Sequence, residues 1–134
     1  MIDINEYSKY VDKKIIDDIL LLAKSLEGLR VLHINSTREG GGVAEILSRL
    51  VPLMNSLDIK TDWAVFKGNQ QFFKFTKKLH NMLHLPNYDK IDSNEVLIYL
   101  GTTYENVNNL DTDNYDVIFV HDPQPLGMVM KKKG

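Results

Sequence analysis

The sequence predicts an α/β fold in which helices flank a parallel β-sheet. Short apolar runs alternate with longer segments of helical periodicity, and right-handed crossovers join the parallel strands of such folds. Two polar turns lie where predicted strands end, one with three consecutive glycines and one that reads HDPQP. Because ligands of open α/β sheets bind beyond the carboxyl ends of the strands, both turns are candidate sites.

The composition indicates a single folded domain. The chain has 134 residues, of which 43% are hydrophobic, and this is enough to bury a core. A net charge of -2 argues against a nucleic-acid partner, and the lack of cysteine excludes disulfides and thiolate chemistry. No apolar stretch is long enough to span a bilayer and the N-terminus does not resemble a signal peptide, so we expect a soluble, cytoplasmic protein without membrane contact.

The first half of the chain contains two predicted helices and two predicted strands. A helix over 13–26 follows the capping residue Asp12, and a strand over 30–34 is apolar on both faces. The glycine turn leads from that strand into a helix over 43–57, and a second strand follows over 61–66. The predicted buried residues of the two helices are Ile15, Ile19, Leu22 and Leu26, and Ile46, Leu50, Leu53 and Leu57, respectively.

The second half adds one clear helix, one ambiguous segment and one strand. A helix over 70–83 ends before Pro86, and the segment 93–100 fits either a helix or a strand that ends at Gly101. A strand over 115–120 leads directly into HDPQP. If it neighbours the first strand, the two polar turns face each other across one crevice. The predicted buried side of the helix comprises Phe72, Phe75, Leu79 and Met82.

The glycine turn has the features of an anion site. Gly40, Gly41 and Gly42 allow a left-handed backbone and close approach of a ligand. The N-terminus of the next helix adds partial positive charge, which stabilises a bound phosphate by about 1 kcal/mol. The pattern is neither the GxGxxG of dinucleotide sites nor the lysine-bearing phosphate loop. The alternative is a flexible turn without a ligand.

The HDPQP turn and one helix face carry the other candidate residues. His121, Asp122 and Gln124 offer a ring, a carboxylate and an amide for sugar hydroxyls, with a purely structural turn as the alternative. Lys77 and the residues beside it share a polar helix face that suits ligand contact or simple solvation. His80 and His84 have the spacing of a helical metal pair but lack a third ligand, so we predict no metal and no other cofactor.

Two further sites have simpler interpretations. His33 lies within the first strand and is predicted to be a core residue rather than a catalyst. Lys131, Lys132 and Lys133 are predicted to form a solvated chain end rather than a nucleic-acid contact.

Three segments, VLHINSTREGGGVAEILSRLVPL, FFKFTKKLHNMLH and YDVIFVHDPQP, resemble the N-terminal domain of trehalose-forming retaining glycosyltransferases, the trehalose synthase and trehalose phosphorylase-like group. The resemblance extends over nearly the whole chain from about Leu26. It implies a GT-B architecture, in which two Rossmann-like domains face each other across a cleft. The chain would then comprise an N-terminal helical segment over 1–27 and an incomplete Rossmann-like domain over 28–134, without the C-terminal donor-binding domain.

The resemblance also implies an activity and roles for individual residues. The family activity is transfer of glucose from a nucleotide-diphosphate glucose, or from glucose 1-phosphate in phosphorylases, onto glucose with retained configuration. By this likeness His121 lies near the reacting sugar as the candidate catalytic residue. The residues implied to approach the donor phosphates are Gly41, Gly42 and Val43. The residues implied to bind sugar are Asp122, Gln124, Lys77, His80 and Asn81.

The missing part of the family pattern has consequences for activity and assembly. Without a donor domain the resemblance predicts a chain that is inactive alone, so its own status as an enzyme stays open. The strand that ends at Val120 would present an apolar edge, and we expect self-association or pairing with a partner chain that carries the missing domain. Two other classes remain open, a non-catalytic sugar- or nucleotide-binding module and a structural interaction domain.

Overall fold

The computed structural model describes residues 2–84 and 90–130. Three strands form one parallel sheet of order β2-β1-β3, flanked by helices, as the sequence predicts. The elements in chain order are a 3₁₀ helix Ile4–Lys9, α1 Lys13–Ser25, β1 Arg30–Asn35, α2 Gly42–Ser56, β2 Lys60–Val65, α3 Gln70–His84, α4 Ser93–Asn109, β3 Val117–Val120 and a second 3₁₀ helix Pro125–Met130. Neither 3₁₀ helix was predicted, because such short elements carry little periodic signal.

The chain divides into two compact units, and each strand contributes residues to both. Unit 1 comprises Met1–His33, Glu39–Trp63 and Asn114–Phe119. Unit 2 comprises Ile34–Arg38, Ala64–Asp113 and Val120–Gly134. Among the described residues, none of the helices combines the length and the apolar character that crossing a bilayer requires.

Unit 1 contains a small apolar cluster. Its buried members are Ala23, Val31 and Ile59, with Leu29, Met54 and Leu57 packed around them. The Asp12 carboxylate accepts a hydrogen bond from the Lys14 N–H at 2.8 Å, which confirms the predicted cap of α1. His33 is buried and its ring stacks on Phe119 with 4.8 Å between centroids, so the prediction that it is a core residue is confirmed.

The predicted buried face of α1 is wrong. The residues expected to be buried, Ile15, Ile19, Leu22 and Leu26, are all exposed. Ile16 and Ala23 are buried instead. Helix α1 has apolar side chains on more than one side, so periodicity alone does not identify the face that packs. The small Ala23 side chain lets the helix approach β1 closely, and a hydrophobicity pattern does not weigh that advantage.

The predicted face of α2 is partly wrong. Ile46 is exposed, and the buried residues are Ala44 and Leu47. The other predicted core positions, Leu50, Leu53 and Leu57, are half-buried. The helix continues through the exposed Pro52.

Unit 2 is organised by packed aromatic rings and two long helices. Phe72 and Phe75 of α3 are buried as predicted, and Leu79 and Met82 are half-buried. Pro86, expected to follow the helix end, lies outside the described residues, as do Lys131, Lys132 and Lys133. The Phe72 ring stacks on Phe66 at 5.3 Å, which links α3 to the end of β2 within this unit.

The ambiguous segment is helix α4, so the strand alternative is wrong. A capping box fixes its start, because the Asp92 side chain accepts backbone hydrogen bonds while the Glu95 carboxylate accepts the Asp92 N–H at 3.0 Å. The Lys78 ammonium of α3 donates to Glu95 at 2.8 Å and to the Lys90 carbonyl at 2.7 Å. The same carboxylate therefore caps α4 and joins it to α3.

The capping carboxylate makes the stability of unit 2 sensitive to acid. The Asp92 N–H and then the Lys78 ammonium lower the pKa of Glu95 below its ordinary value of 4.5. A lowered pKa in the folded state contributes stability above 4.5, and this is lost as the pH falls through the folded-state pKa. We expect the free energy of unfolding to fall on acidification below pH 4.5, and Glu95→Gln to flatten that dependence. Glu105→Gln on the same helix is the control, and an unchanged pH profile in Glu95→Gln would contradict the assignment.

Candidate functional site

The glycine turn lies in unit 1, between the end of β1 and the start of α2. Gly40 and Gly41 have φ angles of +73° and +93°, so the turn requires the left-handed backbone that glycine adopts most easily. Gly41 is the N-cap of α2 and, being a glycine, supplies no capping side chain. The first amides of a helix have no carbonyl partner within it, so this end offers N–H groups to a ligand.

Open space surrounds the turn within its own unit. A Cβ atom built on Gly40, Gly41 or Gly42 would meet no heavy atom within 4 Å. Gly40 and Gly41 are therefore required by their positive φ angles. Crowding by neighbouring residues requires a glycine at none of the three positions. Glu45 lies in the first turn of α2, where its negative charge favours the helix but opposes an anion.

Alanine at Gly41 and at Gly42 is expected to have different effects on stability. The Gly41 angles, φ +93° and ψ 152°, belong to a region that is almost exclusive to glycine, so Gly41→Ala should cost about 1–3 kcal/mol. Gly42 is helical without a positive φ, and Gly42→Ala should be neutral or stabilising by up to about 1 kcal/mol. Urea unfolding followed by circular dichroism measures both values, and equal losses would contradict the assigned conformations.

The HDPQP turn lies in unit 2, after the carboxyl end of β3. Its entry is tied to β1 by a 2.9 Å hydrogen bond from the His121 N–H to the Ile34 carbonyl. Asp122 has a φ of +68°, an uncommon conformation for a residue with a Cβ. The His121 and Gln124 side chains are half-buried, whereas Asp122 is exposed. The Oε1 atom of Gln124 is buried and accepts no hydrogen bond from the described residues.

Tyr99 of α4 holds the exit of the turn. Its hydroxyl donates to the Pro123 carbonyl at 3.0 Å and accepts the Gly127 N–H, also at 3.0 Å. Burial raises the pKa of Tyr99, which keeps the phenol protonated, although the hydrogen bond from the Gly127 N–H acts in the opposite direction. No local sequence pattern indicates this role of Tyr99, because its partners are more than twenty positions away.

Other hydrogen bonds order the polar segments beyond β1 and β2 in unit 2. The Asn35 side chain is buried and its Nδ2 donates to the Thr37 carbonyl at 2.7 Å. Asn106 of α4 bonds both backbone groups of Lys67, accepting its N–H at 2.8 Å and donating to its carbonyl at 2.7 Å. Side-chain amides therefore replace the sheet hydrogen bonds that end with the strands.

The predicted polar face of α3 is present and exposed. Lys77, His80 and Asn81 are all exposed, and the His80 and His84 rings meet edge to face at 4.6 Å. Lys77 also lines an open groove with Gln70, Gln71, Phe73 and Lys74. In residues 2–84 and 90–130, no group of three or more acidic, histidine or cysteine side chains is placed to hold a metal ion.

The predicted site residues therefore fall into three groups, one of which is the exposed face of α3 with Lys77, His80 and Asn81. His121, Asp122 and Gln124 are brought together by one turn in unit 2. Gly41, Gly42 and Val43 belong to unit 1, at the start of α2. The strand order confirms that β1 and β3 are neighbours, while the predicted crevice between the two turns stays a prediction.

A parallel sheet flanked by helices, with polar turns after its strands, places the protein in the class of Rossmann-like α/β domains and is consistent with part of a GT-B N-terminal domain. The model of the family described as "Trehalose synthase, N-terminal domain" matches residues 33–134. The chain belongs to this family.

Individual relatives agree with the family match. The chain is 36% identical over 126 residues to a trehalose synthase of Pyrococcus horikoshii, covering 94% of this chain and 30% of the relative. It is 38% identical over 127 residues to a trehalose synthase of Rubrobacter xylanophilus, covering 90% and 29%. A trehalose phosphorylase of Grifola frondosa is 29% identical over 139 residues, covering 95% and 19%. The chain thus spans about three tenths of the length of these trehalose synthases.

Proposed function

We propose that this chain is the acceptor-side part of a trehalose-forming glycosyltransferase, which transfers glucose from a nucleotide-diphosphate glucose to glucose with retained configuration. The chain's membership of the trehalose synthase N-terminal domain family supports a trehalose-related glycosyltransferase part. The observation that supports a specific sugar site is the HDPQP turn, which gathers His121, Asp122 and Gln124 after β3.

Sugar hydroxyls donate and accept hydrogen bonds, and the turn suits both roles. The exposed Asp122 carboxylate accepts hydrogen bonds, and the Gln124 amide both donates and accepts. The Gln124 Oε1 is buried and has no protein donor among the described residues, so it accepts from a ligand when the Gln124 side chain rotates toward it. His121 is the residue to which we assign contact with the reacting sugar. Lys77, His80 and Asn81 are further candidate sugar contacts from α3.

The donor phosphates are assigned to the glycine turn. The backbone N–H groups of Gly42 and Val43 lie at the start of α2, and its N-cap residue Gly41 contributes no capping side chain. Gly41 adds no side chain that would obstruct a ligand, and no neighbouring atom occupies the space beside it. Helix N-termini with free amides favour phosphate, which supports this assignment.

The isolated chain is expected to lack transferase activity. Glycosyl transfer requires donor and acceptor to be held together and charge on the leaving phosphate to be stabilised. The trehalose synthases it matches are about three times as long, so the residues that complete these tasks are assigned to the remainder of such a protein.

Reconstitution tests the proposed activity. The chain is mixed with a polypeptide that corresponds to the unmatched remainder of the Rubrobacter xylanophilus relative, and nucleotide-diphosphate glucose and glucose are added. We expect trehalose only when both polypeptides are present. Trehalose from the chain alone would refute its inactivity, and no trehalose from a folded, associated pair would refute the transferase assignment.

A non-catalytic binding module is the second candidate, because the matched region is less than a third of the trehalose synthases. Such a module would use the same turns to bind sugar or nucleotide. It would saturate with glucose, trehalose or nucleotide-diphosphate glucose but produce no trehalose in the reconstituted mixture.

The exposed edge of the sheet supports a role in binding another protein chain, in addition to the transferase or the binding-module function. β3 is an outer strand of the order β2-β1-β3, and its Val117 and Phe119 side chains are exposed. Exposed apolar edge strands pair readily with other chains, whether a second copy or a partner with the donor domain. A purely structural interaction domain would use this edge without binding sugar.

We expect the chain to self-associate at high concentration through β3. Val117→Lys places a charge on that strand and should shift the chain toward monomer, as measured by analytical ultracentrifugation. Leu97→Lys, at an exposed apolar position on α4, is the matched control and should not change the distribution. A strict monomer at every concentration would contradict the role assigned to the edge.

A further inference from the structure

Tyr99 connects α4 to the backbone on both sides of Gln124. Its hydroxyl donates to the Pro123 carbonyl and accepts the Gly127 N–H, both at 3.0 Å. These two backbone groups are four residues apart in sequence. A single oxygen atom therefore joins the two ends of the segment from Pro123 to Gly127. The phenol thus uses both its donor and its acceptor function within this segment.

The tyrosine ring is held firmly within unit 2. It stacks on the Phe72 ring with 5.6 Å between centroids and an interplanar angle of 13°. The Phe75 ring meets it edge-on at 6.1 Å. Phe72 is fully buried and also stacks on Phe66. Two packed aromatic rings, Phe72 and Phe75, therefore hold the Tyr99 ring and with it the position of its hydroxyl.

The turn that Tyr99 holds is supported at both ends, and at its exit the Leu126 N–H also donates to the Pro123 carbonyl at 3.4 Å. The His121 N–H ties its entry to Ile34, and between this bond and Pro123 the chain passes through Asp122 with a positive φ. Non-glycine residues persist in such conformations when the surrounding structure imposes them. The Tyr99 hydroxyl supplies that constraint on the exit side.

We propose that Tyr99 is a positioning residue for the sugar-binding turn, an inference that rests on the proposed function of His121, Asp122 and Gln124. It touches no substrate. Its hydroxyl sets the backbone position from which Asp122 and Gln124 meet sugar hydroxyls, and its ring contributes separately to the core. Removing the hydroxyl alone therefore loosens the turn and leaves the ring packing in place.

The test uses the full chain with Tyr99→Phe and two matched variants. Tyr104→Phe removes a hydroxyl from an exposed tyrosine on the same helix. Phe72→Leu weakens the aromatic packing but retains the Tyr99 hydroxyl. For each, glucose affinity is measured by titration followed by NMR, exchange of the Gly127 amide by hydrogen exchange, and stability by thermal unfolding.

We expect Tyr99→Phe to weaken glucose binding by roughly tenfold and to speed exchange of the Gly127 amide by a similar factor, since a lost buried hydrogen bond has this size. Its melting temperature should fall less than that of Phe72→Leu, whose glucose affinity should fall less than that of Tyr99→Phe, because Phe72→Leu loosens the ring but retains the hydroxyl. Tyr104→Phe should change none of the three.

The possible failures are distinguishable. If the wild-type chain binds glucose and Tyr99→Phe binds it equally well, the hydroxyl has only a structural role and the inference is wrong, while the proposed function stands. If Phe72→Leu loses affinity as much as Tyr99→Phe, general packing rather than the hydroxyl positions the turn. If the wild-type chain binds no glucose, the sugar site and the role of Tyr99 are both refuted.

Discussion

Replacing His121 with alanine is expected to lower trehalose formation by the reconstituted enzyme at least about a hundredfold, the lower range for loss of a positioned catalytic side chain. The substitution retains the backbone hydrogen bond from residue 121 to Ile34, so the turn should keep its connection to β1. The rate is measured with saturating glucose and donor, because a loss confined to weak binding would then be small.

His84→Ala provides the matched control for this prediction. His84 is likewise a histidine of unit 2, but it is exposed, lies at the end of α3 and is not assigned to the sugar site. Its removal should leave the rate within a factor of about two, as for a surface substitution. Equal losses in the two variants, or full activity in folded His121→Ala, would remove His121 from the reaction.

Gly127→Ala is expected to destabilise the chain by about 1–3 kcal/mol, the usual cost of overpacking a filled site. A Cβ on Gly127 would lie 2.5 Å from Cγ2 and 2.7 Å from Oγ1 of Thr103. Thr103 is a buried, β-branched residue of α4, so it cannot rotate away without displacing its neighbours. The free energy of unfolding is measured by urea titration.

Two variants isolate the contact behind this loss. Thr103→Ala removes both clashing atoms, so the double variant Gly127→Ala, Thr103→Ala should recover part of the stability that Gly127→Ala loses. Gly101→Ala lies on α4, where a Cβ meets no atom within 4 Å, and should stabilise the chain by up to about 1 kcal/mol. No recovery in the double variant would show that another contact limits the space at Gly127.

The element types were predictable because they depend on local patterns. β1 is buried along nearly its whole length, and α3 begins at the predicted residue, ends one residue beyond the predicted end and has the predicted aromatic side. The faces that pack depend on neighbours far away in sequence, which explains the errors. Ile15 and Ile16 are equally apolar, and only the structure identifies Ile16 as the buried one. α4 was ambiguous because its apolar run fits both periods, and its capping box decides the outcome.

The chemical groups of the candidate site were predictable from the sequence, but the contacts that hold the site in place were not. HDPQP is visible as a polar turn after an apolar run, and three glycines before a helix indicate a backbone that approaches a ligand. The positive φ of Asp122 and the two hydrogen bonds of Tyr99 depend on long-range packing. Single-sequence patterns contain no information on which side chain reaches such a turn.

Binding of the acceptor sugar at the HDPQP turn is tested by an NMR titration of the isotope-labelled chain with glucose, with galactose as the epimeric control. If the HDPQP turn binds the acceptor sugar, glucose should produce saturable shifts of the backbone amides of His121, Asp122 and Gln124, and galactose weaker ones. Absence of saturable shifts in this turn, or shifts confined to other surfaces, would contradict the assignment of these residues to the acceptor site.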